Sequence, residues 1–181
     1  MILFFGPPGS GKSIQGRLLV ERNGWQWLST GQMFRDSQDP EVLKRLATGE
    51  LIDDDMTNRV VNEALESADD ENRVVLDGYP RNTAQAEWLT SQLPQHDRHI
   101  RAVIVFDTPQ EELIRRLAGR GRSEDTPEVI ERRIDIYRKA TKPVIDYYQQ
   151  RDVPVMTVDA VGSVEEVHER IQKAVESCTP A

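Results

Sequence analysis

Met1-Ile2-Leu3-Phe4-Phe5-Gly6-Pro7-Pro8-Gly9-Ser10-Gly11-Lys12-Ser13 opens the chain and decides its architecture. An apolar run passes straight into G-x-x-x-x-G-K-[ST], with every fixed position filled. A polyphosphate needs many N–H donors around a small anion, and side chains would obstruct that approach. Gly6, Gly9 and Gly11 leave the backbone bare and free to take unusual dihedrals. Lys12 supplies a cation for the β- and γ-phosphates, and Ser13 places a hydroxyl near their metal ion. The apolar run reads as a buried strand. Ile14, Leu18 and Leu19 read as the buried face of the helix that follows. Phosphates bound here would sit on the positive end of that helix.

The rest of the composition bounds the answer. A chain of 181 residues is long enough for one domain with a sizeable core. Hydrophobic residues make up 38% and charged residues 30%, and the net charge is −8. Such an acidic balance argues against a general nucleic-acid binder. Against that background Arg115, Arg116, Arg120, Arg122, Arg132 and Arg133 crowd into one short stretch. The single cysteine, Cys178, excludes an internal disulfide and a cysteine-cluster zinc site. No apolar run reaches membrane-spanning length, and no signal-peptide pattern precedes the first strand. A cytoplasmic enzyme is the expectation.

Working outward, Trp25-Gln26-Trp27-Leu28 reads as a short strand with both tryptophans on one face, packed in the core. Ser29-Thr30-Gly31 offers a helix cap before Gln32-Met33-Phe34-Arg35. Pro40 opens a helix that Gly49 ends, and Asp53-Asp54-Asp55 begins the next. Three consecutive aspartates there favour the helix dipole rather than a metal. Val74-Val75-Leu76 is a buried strand ending in Asp77-Gly78-Tyr79-Pro80-Arg81, followed by a helix from Ala84 to Leu93. His96 and His99 read as solvated loop histidines. Ala102 to Phe106 is a further strand, and Thr108-Pro109-Gln110-Glu111 reads as a capped helix start with Leu113, Ile114 and Leu117 inward. After the loop Gly119 to Asp125, Thr126-Pro127-Glu128 restarts a helix with Ile130, Ile134 and Tyr137 inward; another runs through Val144, Tyr147 and Tyr148. Val153 to Val158 is the last strand, and Ser163 caps a final helix through Val167, Ile171 and Val175. Five continuous apolar strands alternating with helices predict an α/β fold of three layers, a parallel five-stranded sheet flanked by helices. Ligands of such sheets lie beyond the carboxyl ends of the strands, where the phosphate loop, Asp77 to Arg81, Asp107 and Asp159 should meet.

Asp77 ends a hydrophobic strand, where a P-loop enzyme carries the acid that orients Mg²⁺ and its waters. A hydroxyl acceptor needs a base to remove its proton. A phosphate acceptor is already ionised and needs cations instead, for which arginine's fork is suited. Arg35, Arg81, Arg120 and Arg133 come from separate segments expected on one edge, which points to a second phosphate-bearing substrate. Arg115 and Arg138 read as solvated helix-face residues.

At this point the chain resembles the adenylate kinases, within the nucleoside monophosphate kinase family. The residues that carry the likeness run end to end: Gly6 to Ser13, Ser29 to Arg35, Gly49 to Ile52, Asp77 to Arg81, Arg116 to Arg120, and Asp125 to Glu128 with Arg132 and Arg133. The resemblance implies one P-loop kinase domain over residues 1–181, transferring the γ-phosphoryl of MgATP to AMP. An AMP-binding insertion would span about 30–60 and a very short lid about 119–132. It implies ATP contacts at Gly9, Ser10, Gly11, Lys12, Ser13, Arg116 and Arg120, with Arg120 near the adenine. It implies that Thr30, Gly78, Gln85, Leu51 and Ile52 surround the AMP base, and that Arg35 and Arg81 hold its phosphate. Lys12, Arg81, Arg120, Arg122 and Arg133 would act on the moving phosphoryl group, and Ser13 and Asp77 on Mg²⁺ through water. Zinc, nucleic acid and membrane are not expected partners; ATP, AMP and ADP are.

Three positions depart from the pattern. Gln32 stands where an acid is common, Ser13-Ile14 replaces a frequent Gly-Thr, and seven residues from Gly119 to Asp125 replace a long inserted lid. Other readings are a UMP or CMP kinase, a small-metabolite kinase with Asp77 as base, and a nucleotide-binding switch protein. Thr30 and Gln85 favour AMP over UMP or CMP, and no guanine-specific N-K-x-D motif is present.

Overall fold

The computed structural model describes residues 1–68, 73–122 and 125–178. Its centre is a sheet of five parallel strands: β1 (Ile2–Phe5), β2 (Gln26–Ser29), β3 (Val74–Asp77), β4 (Ala102–Asp107) and β5 (Val155–Asp159). The spatial order is β2-β3-β1-β4-β5, with Phe4 opposite Asp77 on one side and Ile104 on the other. The order reverses around β1, so the loop after β1 lies at the switch point, where parallel sheets bind ligands.

Because strand side chains alternate, β1 feeds two cores. Leu3 and Phe5 join Val61, Leu65, Leu89 and Tyr148 on one face. Ile2 and Phe4 join Leu19, Val167 and Ile171 on the other. The expected three layers are therefore present, and Trp25 and Trp27 share a face as read from their alternation. A smaller cluster, Phe34, Val42 and Ile52, holds together the segment between β2 and β3. That segment is built from α2 (Thr30–Asp36), α3 (Pro40–Thr48) and α4 (Asp54–Glu66). Ser29, Asp39 and Asp53 cap these helices, each accepting from backbone N–H groups of the first turn.

The remaining helices are α1 (Lys12–Asn23), α5 (Thr83–Gln92), α6 (Gln110–Ala118), α7 (Pro127–Ile136), α8 (Lys142–Gln149) and α9 (Val164–Ser177). A π-helical turn, Tyr137–Thr141, joins α7 to α8 just before Pro143, which has no N–H to give the preceding turn. Ser163 and Glu166 form the full reciprocal capping box of α9.

Several local expectations are corrected. Ile14 is 49% exposed and Leu18 only half-buried; the buried face of α1 is Gln15, Gly16 and Leu19. The helix is rotated because it packs on Trp27 through Gly16, where any Cβ would lie 2.3 Å from the indole Cδ1. Helix α6 begins one residue later than expected. Pro109 occupies the cap position and can offer no side-chain acceptor, while the Thr108 hydroxyl is buried without a hydrogen-bond partner among the described residues. Its inward residues are Leu113 and Leu117, and Ile114 is 44% exposed. Strand β5 starts at Val155 rather than Val153. Of the two loop histidines only His99 is exposed; His96 Nε2 lies 3.0 Å from Asn62 Oδ1.

Candidate active site

Beyond the carboxyl ends of β1, β3 and β4 lies a cavity of about 640 Å³. The phosphate loop forms its floor. Gly9 sits at φ +85°, a conformation that favours glycine, and a Cβ there would lie 2.9 Å from Leu117 Cγ. The loop therefore runs close under α6 only because the position is bare. Lys12 Nζ donates to the Gly6 carbonyl at 2.7 Å and the Pro7 carbonyl at 2.9 Å. Burial pushes its pKa down to about 8, with Arg81, Arg133 and Arg120 adding to the effect and Asp77 opposing it. The lysine is thus folded back onto its own loop, its charge held where a phosphate would enter.

Ser13 Oγ donates to Asp77 Oδ2 at 3.1 Å. This puts two hard oxygen groups beside the phosphate position, a donor set that fits a divalent cation carried in by the phosphates. No group of three or more His, Cys, Asp or Glu side chains capable of caging a metal occurs among the described residues.

Arginines form the walls. Arg35 comes from α2, Arg81 from the loop after β3, Arg116 from α6, Arg120 and Arg122 from the turn beyond it, and Arg133 from α7; all line the cavity. Arg81 Nε donates to the Gly78 carbonyl at 2.6 Å, Gln85 Oε1 accepts its backbone N–H at 2.7 Å, and its own carbonyl accepts from Thr141 in the π-helical turn. Burial pulls its pKa down. Arg116 is latched to Glu112 by Nε at 2.6 Å and to the Ala160 carbonyl at 2.9 Å. Arg115 and Arg116 hold the Glu112 carboxyl down to about 2. Arg120 grips Asp125 through both oxygens, at 2.7 and 2.5 Å, and Arg133 lies 3.6 Å from the same carboxylate, whose side chain is 2% exposed.

The sequence-derived residues fall into two sets. Gly9, Ser10, Gly11, Lys12, Ser13, Asp77, Gly78, Leu51 and the six arginines meet at the cavity. Thr30, Ile52 and Gln85 do not line it. Thr30 is buried with its hydroxyl on the Gly78 carbonyl at 3.1 Å, and Ile52 packs on Phe34 and Val42. Gln85 is 1% exposed, with its amide Nε2 on Asp54 at 2.7 Å. Asp54 was legible only as a helix-start acid, yet it also accepts from Asn82 and ties α4 to α5. Gln32 gains a role: it donates to Asp36 at 2.8 Å and accepts from Arg35 at 3.2 Å, so an amide orients Arg35 where an acid was expected. Asp125 stood in a quoted motif without a function and is the carboxylate on which two wall arginines rest. Opposite contributions also meet across the cavity mouth. Arg132 donates to the Thr48 carbonyl at 3.1 Å, and Gly49 lies against Arg133 and Val129.

A polyphosphate loop facing a second cationic wall across one cavity defines a P-loop phosphotransferase of the nucleoside monophosphate kinase class. A family model described as adenylate kinase matches residues 4–153. Adenylate kinases of Mycobacterium ulcerans and Mycobacterium marinum are each 41% identical over 180 residues, covering 96% of this chain and 98% of those proteins. The adenylate kinase of Nocardia farcinica is 40% identical over the same span. The chain belongs to the adenylate kinase family.

Proposed function

We propose that this protein reversibly transfers the γ-phosphoryl group of ATP to AMP, giving two ADP, with Mg²⁺ as the ATP-borne ion. The observation that carries this reading is the placement of cations without an available base. Among the described residues, the cavity's carboxylates are Asp77 and Glu112. Glu112 is locked by two arginines, and Asp77, tied on one oxygen to Ser13 of the phosphate loop, is given over to the water shell of the ATP-borne ion in this reading. A hydroxyl acceptor would find no free base, whereas a phosphate acceptor requires none.

In this mechanism the phosphate loop binds ATP through Gly9, Ser10, Gly11, Lys12 and Ser13, with Arg116 and Arg120 beside the adenosine. Arg35 and Arg81 hold the AMP phosphate. An AMP phosphate oxygen forms a new bond to the γ-phosphorus as the bond to the bridging β–γ oxygen breaks, and the electron pair leaves with ADP. No proton moves. Lys12, Arg81, Arg120, Arg122 and Arg133 hold the two anions in line and meet charge as it spreads over the transferred group. A bound divalent ion would neutralise β- and γ-phosphate charge, held through Ser13 and, by water, Asp77. Gln85 would read the adenine with what its amide has left. One N–H goes to Asp54 and one lone pair to the Arg81 N–H, leaving one donor and one acceptor. Thr30, Gly78, Leu51 and Ile52 would surround the base. Residues 1–181 form one kinase domain in this reading, with the acceptor segment at about 30–60 and the short lid at about 119–132. It works as a cytoplasmic monomer.

Product analysis tests the proposal. ATP plus AMP should yield ADP, with little phosphate released, and CMP and UMP should be poorer acceptors. Faster turnover of CMP or UMP would assign a different acceptor. Phosphate release from ATP or GTP alone, without ADP formation from AMP, would favour a switch protein.

A further inference from the structure

Asp77 is 3% exposed, and both of its side-chain hydrogen bonds fall on one oxygen. The Ser13 hydroxyl reaches Oδ2 at 3.1 Å, and the Trp27 indole N–H reaches the same Oδ2 at 3.3 Å. No hydrogen bond among the described residues falls on Oδ1. The indole is held for this contact from two sides. It lies on α1 at Gly16, where a Cβ would stand 2.5 Å from the indole nitrogen itself. The Arg17 guanidinium covers the ring at 5.5 Å from its centroid, and Arg17 Nε donates to the Ser13 carbonyl at 3.2 Å. Trp27 comes from the edge strand β2, so this ring links the outer strand to the helix that carries Lys12 and Ser13. Trp25 shares the same core cluster, yet only Trp27 among the described tryptophans donates to the carboxylate.

We propose that Trp27 is a positioning residue for the divalent-ion site. Its N–H and the Ser13 hydroxyl together occupy Oδ2 and set the carboxylate's rotation. Oδ1 is then the oxygen presented to the water shell of the nucleotide-bound ion. A merely space-filling ring would not need its nitrogen turned to Asp77. The inference rests on the phosphotransfer reading above, because the ion arrives with ATP.

The test uses the native protein, Trp27→Phe, which keeps a ring and deletes the donor, and Trp27→His, which keeps a ring N–H. The first readout is the indole N–H resonance of Trp27 by nuclear magnetic resonance, assigned by its loss in Trp27→Phe. Adding Mg²⁺ to the ATP-saturated native protein should move this resonance and leave those of Trp25 and Trp88 in place. The second is the Mg²⁺ concentration for half-maximal turnover. Trp27→Phe should raise it about fivefold, as expected for one lost hydrogen bond, with KM for AMP unchanged. Trp27→His should recover most of that difference. A Trp27 resonance blind to Mg²⁺ would overturn the inference. So would a turnover loss in Trp27→Phe that is equal at every Mg²⁺ concentration and tracks a lower Tm. Failure of the native protein to make ADP from ATP and AMP would overturn both readings, whereas an active enzyme with a metal-blind indole fails only this one.

Discussion

The phosphate loop and the arginine wall serve the same anions but are held in different ways. The loop is made from backbone: bare glycines bring N–H groups together, and Lys12 closes it by donating to the Gly6 and Pro7 carbonyls. Its geometry is complete before any ligand arrives. The wall is made from long side chains, several already resting on protein acceptors: Arg120 and Arg133 on Asp125, Arg116 on Glu112 and Ala160, Arg81 on Gly78. In the loop an incoming phosphate meets finished backbone and has only Lys12 to draw from its carbonyls, but along the wall it has to outbid a carboxylate or a carbonyl for Arg81, Arg116, Arg120 and Arg133. A phosphate that is stationary can be served by backbone. One that moves needs groups that can change partner.

The largest break in this comparison should come from the loop. Lys12→Met should lower kcat roughly 10²–10³-fold, the scale of one preorganised electrostatic donor, while far-UV circular dichroism stays native. Near-native turnover in the folded variant would remove the loop from the chemistry. The wall should be graded. Arg133 stands on α7 beside Asp125 and Gly49, so helix geometry sets its position, whereas Arg122 sits on the turn that follows α6. Arg133→Ala should reduce kcat about 10²-fold and Arg122→Ala about tenfold less, as measured by ADP formation. A larger loss in Arg122→Ala would make the turn, not the helix, the working lid.

The smallest effect is a proton. Burial holds folded-state Lys12 near 8, below its ordinary 10.5. The folded protein therefore bears a cost from this charge below about pH 8, and that cost fades as pH rises towards 10.5. Phosphates should raise the value again, so ATP binding at pH 8.5 should take up part of a proton. Calorimetry in buffers of different ionisation enthalpy reads this directly. Equal uptake by Lys12→Met would assign the proton to another group.

Legibility followed the same division. The phosphate loop, the five strands, and the caps at Ser29, Asp53 and Ser163 could be read because each is a local demand satisfied within a few residues. The sidedness of α1 and α6 differs from the periodic reading at Ile14, which lines the cavity, and at Ile114, which is exposed, since helical spacing alone does not say which apolar residue meets the core. The capping motif at Thr108 failed because the helix starts one residue later, at Gln110. Asp54 was unreadable because its partners are amides brought up by the packing of α5 on α4, whereas Gln32 and Asp125 meet nearby arginines whose side-chain directions periodicity does not give.

The sequence alone thus determined where a polyphosphate can bind, because glycine positions and strand-to-helix polarity are written in consecutive residues. It also determined that cations from several segments converge, because parallel strands send their carboxyl ends to one edge. Tertiary structure decided what those cations rest on, which oxygen of Asp77 is left open, and that Trp27 stands behind it. Those are matters of side-chain direction at contacts between residues as many as 64 positions apart, and periodicity along a chain carries no information about them.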